Sequence, residues 1–591
     1  MCITNFIISC LILLAVWLLL AAACNSWGVW LCRVAGITID GRTGFFARIW
    51  LGWCFSILIL AVYHLFLPIN VYCSVVLYLP AIVYFFIKNS KKLVAEVKTI
   101  KKSILACLIL LLLVVAATAI QAPICFDTGL YHLNSIRWLN EHHIINGLGN
   151  LHTRLGFNQI YFLYAASLNF HPLLNDFAFH AANSFLFALL VVDLLLSGSC
   201  IDLLIMALLH LLPMPLYWVA CPTPDLASAL LQLYIFRLVL LVVYYRPKNE
   251  QNFSIVMTIA ITTAILIALK LSNGFWALGL FAMIVIFCKN QGLKSSDWSV
   301  MKKGGAFIIV FFAIWVIRGY IQTGYPLFPS AFGKIDFDWT LSLDEARKAS
   351  EDILVFARLD AYENDSPLLK NGGWMKPWFE KNIFNSKIYV TGDTVQDILT
   401  WLMLLFCPCT LFNFGISVFT LSASSIFIFG IYLGYFWQKK QKASEIKYLI
   451  ALWLICAASL VFWFVMAPAT RFSNAVSIMF FIVSCLLAKP VLPGFKINYR
   501  LKCAAMVVPI FIMLWQFMVL YSDGSFNLNG LQPCHKASVK TMVTDNGLSV
   551  LMPVDGTQTW DSAIPSTPEF RKGLALRTTR LEDGFCIKDK N

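Results

Sequence analysis

SILACLILLLLVVAATAIQ (103–121) runs almost directly into CFDTGLYHLNSIRWLNEHHIINGLGNLHTRLGFNQIYFLY (125–164), and this junction decides how the chain is read. The first stretch is apolar for about eighteen residues, enough to cross a bilayer as a helix. The second is the longest polar interruption in the first half. It carries Asp127 at its mouth, His132, His142, His143 and His152, and the cations Arg137 and Arg154. The Asp127 carboxylate therefore belongs at the membrane surface, where it suits chemistry on a lipid-borne substrate. Thr128 to His143 reads as a short helix with Asp127 as its N-cap and the flexible GLG at 147–149 as its stop. The alternative is that Asp127 does no more than cap that helix.

Composition places the rest of the chain in the same class. Of 591 residues, 59% are hydrophobic and 13% charged, against about a quarter charged in soluble domains. Mean hydropathy is +0.75. The net charge of +14 sits in short loops between apolar runs, which makes it a mark of cytoplasmic loops and excludes nucleic acid as the partner. Eighteen cysteines show no zinc spacing and fall mostly within apolar runs, where a thiol behaves as a small hydrophobe. MCITN carries no basic residue, so the first apolar run reads as an uncleaved span rather than a signal peptide.

Taken in order, residues 1–102 form a three-span region, with runs near 5–24, 46–67 and 70–87. Arg33, Arg42 and Arg48, then Lys88, Lys91, Lys92, Lys98, Lys101 and Lys102, mark its loops as cytoplasmic. The span at 103–121 then runs outward, and the loop 122–175 is external. Within it, GFNQIYFLYAASLNF (156–170) is too short to cross and is expected along the interface. Residues 103–324 make the transmembrane core, with further spans near 176–197, 200–218, 225–245, 253–272, 274–288 and 306–324. An external lobe of mixed structure at 325–397 follows. The C-terminal transmembrane region, 398–521, is read as one span near 416–437 behind a re-entrant helix, then 447–467, 473–488 and 502–521. The total is about fourteen transmembrane helices, an all-α polytopic membrane protein with external helical loops. A small external tail, 522–591, carries Cys534 and Cys586, which an oxidising compartment would allow to pair.

Under this topology several ionisable residues gather on the outer side: Asp127, Arg154, Asp225 in CPTPDL, Lys270, Arg318 and Arg471. Charges at the membrane are costly, so they are paired, buried in a cavity or functional. Taken singly, Lys270, Arg318 and Arg471 are explained by snorkelling, and Asp225 by capping the helix after Pro224. Together, three cations at outer ends run against the positive-inside rule. A lipid phosphate would account for them, because Lys and Arg make charge-assisted hydrogen bonds to phosphate oxygens. Asp193, Asp202, His210 and Arg237 lie in inner halves of spans and read as buried pairs. The histidines lack the i,i+4 spacing of a zinc helix and read as hydrogen-bonding residues, with His132 nearest the acid.

FDTGLYHLNSIRWLNEHHIINGLGNLHTRLGFN (126–158), IALKLSNG (267–274), RGYIQTGYPLFPS (318–330) and APATRF (467–472) resemble a group of bacterial polytopic membrane proteins associated with surface-polysaccharide genes. The broader pattern, an acid just after an outward span and a second acid on the next external turn, resembles the GT-C superfamily of integral membrane glycosyltransferases. That resemblance implies a GT-C-like core at 103–324 and a sugar moved from a polyprenyl-phosphate-linked donor to a glycan, lipid or protein acceptor. It implies inversion at the anomeric carbon and a multi-pass protein of a bacterial inner membrane with its site facing the periplasm. Asp127 matches the general base, or a metal ligand in the oligosaccharyltransferase branch; Asp225 matches the second-loop acid by position. His132, Arg154, Asp225, Lys270, Arg318 and Arg471 are the substrate-binding candidates. No cofactor is demanded, and that branch leaves a divalent metal, Mg²⁺ or Mn²⁺, open. Two departures are plain: one acid stands at 127 in place of a DxD or DE pair, and three spans precede the usual first one.

Two other functions stay open on the residues. An oligosaccharide polymerase or ligase using polyprenyl-pyrophosphate-linked glycans would draw on arginines of the external lobe, such as Arg347 and Arg358. A flippase or transporter would show broken, charged helices at the midplane and inverted repeats, and neither pattern is visible.

Overall fold

A computed structural model describes residues 2–588 apart from 175, 212–217, 246–250, 293–294, 360–366, 380–420, 423, 431, 433–445, 489–510 and 512–526. In order, the helices are α1 (Cys2–Ala35), α2 (Gly41–Tyr63), α3 (Val71–Lys88), α4 (Ser90–Lys98), α5 (Lys102–Ala119), α6 (Leu133–Glu141), α7 (Tyr161–Ser167), α8 (Phe177–Ser197) and α9 (Cys200–Leu211). Then come α10 (Pro224–Leu240), α11 (Asn252–Leu269), α12 (Gly274–Gln291), α13 (Ser295–Thr323), α14 (Leu343–Leu359), α15 (Met375–Phe379), α16 (Lys447–Met466) and α17 (Asn474–Ala488). Among the described residues ten helices are long and apolar enough to cross a membrane. Of the expected crossing at 200–218, α9 is the described part and 212–217 lie outside the described residues, as do most of the expected spans 416–437 and 502–521.

The chain forms two compact units, one from Met1–Ser197, Tyr217–Ala349 and Phe517–Asn591, the other from Gly198–Leu216 and Ser350–Gln516. In the first, α1 and α2 cross with almost no gap. A Cβ on Gly28 would overlap the Arg48 carbonyl, and one on Gly52 the Cys24 carbonyl. Small residues permit this contact, the usual device where lipid gives helices no hydrophobic reason to associate. Behind the crossing, Trp50 of α2 stacks on Tyr234 of α10 at 4.9 Å, and Trp53 meets Tyr164 of α7 edge-on at 5.6 Å. The aromatic stretch 156–170 is thus core rather than interface: Tyr161 and Tyr164 are buried. Its rings are spent on protein partners, which lowers their free energy more than a headgroup belt would. In the second unit, α16 packs on α17 through Trp453 and Phe480, and α9 also contacts α17.

The tail corrects the all-α expectation. Strands β1 (Val539–Val543) and β2 (Ser549–Pro553) pair antiparallel, as do β3 (Leu574–Leu576) and β4 (Phe585–Ile587). This lobe packs on the first loop: Val550, Leu574 and Phe585 share one apolar cluster with Trp138, Ile145, Leu148, Leu151 and Leu155. Cys534 and Cys586 are both free, each buried in its own surroundings.

Candidate functional site

Asp127 lies on the short bridge between α5 and α6, where the chain makes a π-helical turn, Thr128–His132, before the α-helix begins. Its backbone is already helical and its side chain caps nothing, so the capping reading fails. Helix α6 ends at Glu141 with extended His142, six residues before the expected GLG stop, which is used instead as a left-handed turn at Gly147. Asp127 is buried, its side chain 11% exposed, and it faces Arg154, whose Nη1 stands 3.9 Å from Oδ1. Arg154 also lies over the Tyr131 ring, 5.7 Å from its centroid. His132 is buried under the turn, 3.3 Å from the Thr128 hydroxyl and edge-on to Tyr131.

Two segments hold that turn from outside. Trp560 of the tail donates its backbone N–H to Gly129 O at 2.8 Å, and Gln558 Nε2 donates to Phe126 O at 2.9 Å. Gly129 is required there, since a Cβ would sit 2.6 Å from the Trp560 ring. On the other side the Cys125 N–H points at the Cys221 sulfur at 3.4 Å, so the turn before α10 abuts the Asp127 turn.

Arg154 lines a cavity of about 30 Å³ together with Arg318, His64, Trp138, Gln159 and Gln322. Among the described residues, two guanidiniums and no carboxylate are on its wall. Arg318 is 2% exposed, and its Nη1 is 3.1 Å from His64 Nδ1. An arginine only donates, so His64 accepts at Nδ1 and gives its Nε2 proton to His142 O, 3.1 Å away. Burial, and next the Arg318 charge, hold His64 well below the usual histidine range, in keeping with a neutral ring. Arg318 Nε and the side-chain oxygens of Gln159 and Gln322 are buried with no hydrogen-bond partner among the described residues. A buried cation with donors to spare and no counter-charge is the signature of a site completed by an anion.

The other candidates are placed differently. Lys270, at the end of α11, makes an ion pair with Asp225 in the first turn of α10, and Thr223 rather than Asp225 caps that helix. Each therefore answers the other's charge. Arg471 belongs to the second unit, where it lies over Phe472. Asp193 and Arg237 pair at 2.6 Å, as the inner-half residues were expected to. Arg358 is held by the Trp374 ring and the Val465 carbonyl. His64, Gln558 and Trp560 were not legible in the sequence, because their partners lie 78, 254 and more than 400 residues away.

The donor set at Asp127 does not fit a divalent metal. Mg²⁺ or Mn²⁺ asks for several oxygen ligands, whereas this single carboxylate faces a guanidinium. A group among the described residues that could offer three ligands, Asp176 just before α8 with Cys534 and Asp561 of the tail, lies elsewhere, and there Arg137 already pairs with Asp561 at 3.3 Å.

Ten helices among the described residues, each long and apolar enough to cross a membrane, define a polytopic helical membrane protein. The chain belongs to the family described as a domain of unknown function, DUF8201, which matches residues 10–478. No curated protein sequence matches it. A solved structure with weak similarity is the crystal structure of the Archaeoglobus fulgidus oligosaccharyltransferase in the apo form: 11% identity, TM-score 0.28, 73% of this chain and 56% of that one. The chain thus spans little more than half of that protein, and at this level the likeness assigns no function.

Proposed function

We propose that this protein is a membrane glycosyltransferase that moves a sugar from a polyprenyl-phosphate-linked donor to a glycan, lipid or protein acceptor at the outer face of a bacterial inner membrane. The observation that carries the reading is the buried Asp127 carboxylate beside Arg154, with Arg154 and the buried Arg318 on one cavity that no acid lines among the described residues. In the reaction the acceptor hydroxyl oxygen bonds to the anomeric carbon while the bond from that carbon to the phosphate oxygen breaks. The proton of the hydroxyl passes to Asp127, and the bonding pair leaves on the lipid phosphate. A single displacement of this kind inverts the anomeric centre.

The residues then divide the work, with Arg154 serving twice. Asp127 is the base, and Arg154 favours its ionised form. Arg154 and Arg318 stabilise charge that grows on the departing phosphate, the larger share of such catalysis. The cavity is the size of a water or one phosphoryl oxygen, about 30 Å³, so it takes an oxygen of the phosphate and not the sugar. His132 props the turn, and the Asp225–Lys270 pair sets the neighbouring one. Protein reconstituted in vesicles with a polyprenyl-phosphate sugar should release polyprenyl phosphate only when acceptor is present. Loss of that release in Arg318→Met, with release retained in Lys270→Met, supports the assignment; equal rates in wild type and Arg318→Met overturn it.

A further inference from the structure

At the opposite end of the helices from Asp127, α1 finishes, α2 begins, α3 finishes and α5 begins. α1 has 34 residues, so it is roughly 50 Å long and outruns a hydrocarbon core of about 30 Å. Its last turns therefore stand at headgroup level. The chain at this rim of helix ends is basic: Arg33, Arg42, Arg48, Lys88, Lys91, Lys98, Lys101 and Lys102 stand against two acids, Asp40 and Glu96. α4 lies across this rim with Lys91 and Lys98 exposed beside exposed Val94 and Val97, the make-up of a helix that rests in the interface.

Inside the rim is a cavity of about 410 Å³ whose polar wall is Arg33, Arg48, Asn25, Asn89 and Glu96. Among the described residues neither Arg33 nor Arg48 forms an ion pair. Arg33 and Val29 also belong to a second cavity, about 210 Å³, walled by Trp27, Trp30, Pro80 and Tyr84 between α1 and α3. The two spaces thus meet at Arg33: a cationic chamber at headgroup level and an apolar groove leading from it along the helices. Trp30 and Val34, half exposed on the lipid side of α1, extend the apolar border.

We infer that this pair of cavities binds an anionic glycerophospholipid of the cytoplasmic leaflet, its phosphate between Arg33 and Arg48 and one acyl chain in the groove by Trp27 and Trp30. Charge complementarity selects the occupant. Two guanidiniums outweigh Glu96, and basic pockets between spans on the cytoplasmic side recognise anionic headgroups. The amide side chains of Asn25 and Asn89 supply neutral hydrogen bonds to glycerol or headgroup oxygens. The site is separate from Asp127 and does not depend on the glycosyltransferase reading.

The test uses the whole protein in nanodiscs with phosphatidylglycerol or phosphatidylcholine carrying a photoreactive acyl chain. Labelling of peptides within 26–36 should be at least fivefold greater with phosphatidylglycerol, and Arg33→Gln/Arg48→Gln should bring the two lipids level. A tenfold excess of polyprenyl phosphate should leave the labelling unchanged. Equal labelling by both lipids in wild type overturns the inference, whether or not the double variant folds. Displacement by polyprenyl phosphate overturns it in favour of a carrier lipid.

Discussion

Arg318 Nη1 lies 3.1 Å from His64 Nδ1, and this contact joins a buried guanidinium of α13 to a residue 254 positions earlier in the chain. Because the guanidinium has no carboxylate on the cavity wall, removing it and removing its partner should have opposite effects. Arg318→Met is expected to fold at least as stably as wild type, since buried charge costs more than an apolar side chain of similar length. His64→Ala should lose about 1–3 kcal/mol, because it strips the acceptor from a buried donor. Thermal unfolding in detergent compares them; an equal loss in both would make Arg318 a structural residue.

Acid should weaken the first loop. Burial pushes His64 and His152 well below the ordinary 6.5, so in the fold they stay neutral where the unfolded chain takes up protons. The sign follows: stability is full above 6.5 and falls as pH drops below it. Asp561 works the other way, since burial raises its carboxyl to about 6 and the fold then binds a proton before the unfolded chain does. His152→Gln should flatten the decline between pH 6.5 and 5, measured as the unfolding midpoint, while Asp561→Asn should leave the decline in place.

The tail is held to the Asp127 turn through a glycine. Gly129→Ala puts a methyl 2.6 Å from Trp560 and has to push the tail or the turn aside, a loss of about 1–3 kcal/mol. Limited proteolysis within 527–588 should quicken in that variant, whereas wild type stays protected. Trp560→Ala should relieve the clash in the double variant.

The pair Asp193–Arg237 sits inside the helices, with side chains 0% and 7% exposed. Asp193→Ala should cost about 3–5 kcal/mol by stranding the arginine. Asp193→Ala with Arg237→Met should recover most of it, as read by unfolding in detergent.

How far the sequence could be read follows from the range of the forces involved. Span positions were legible because a run of apolar residues declares its own solvent: the expected 103–121 and 176–197 lie within two residues of α5 and α8. That Asp193 and Arg237 are buried and paired was legible for the same reason, since charge in a span needs a partner, but which residue answers which was not. The role of 156–170 was not, because aromatic composition alone does not say whether a ring meets lipid or Trp53. Nor was the pairing of Asp225 with Lys270 or of Arg318 with His64, which depends on which helix ends meet. The tail reads as polar and plain, yet apolar residues within it, Val550, Leu574 and Phe585 foremost, carry it onto the loop.

If Asp127 takes the proton of the acceptor hydroxyl, lipid-linked glycan profiling of cells carrying Asp127→Asn should show a variant made and inserted as wild type, with the sugar donor accumulating and the acceptor unmodified. Normal product from that variant would contradict it.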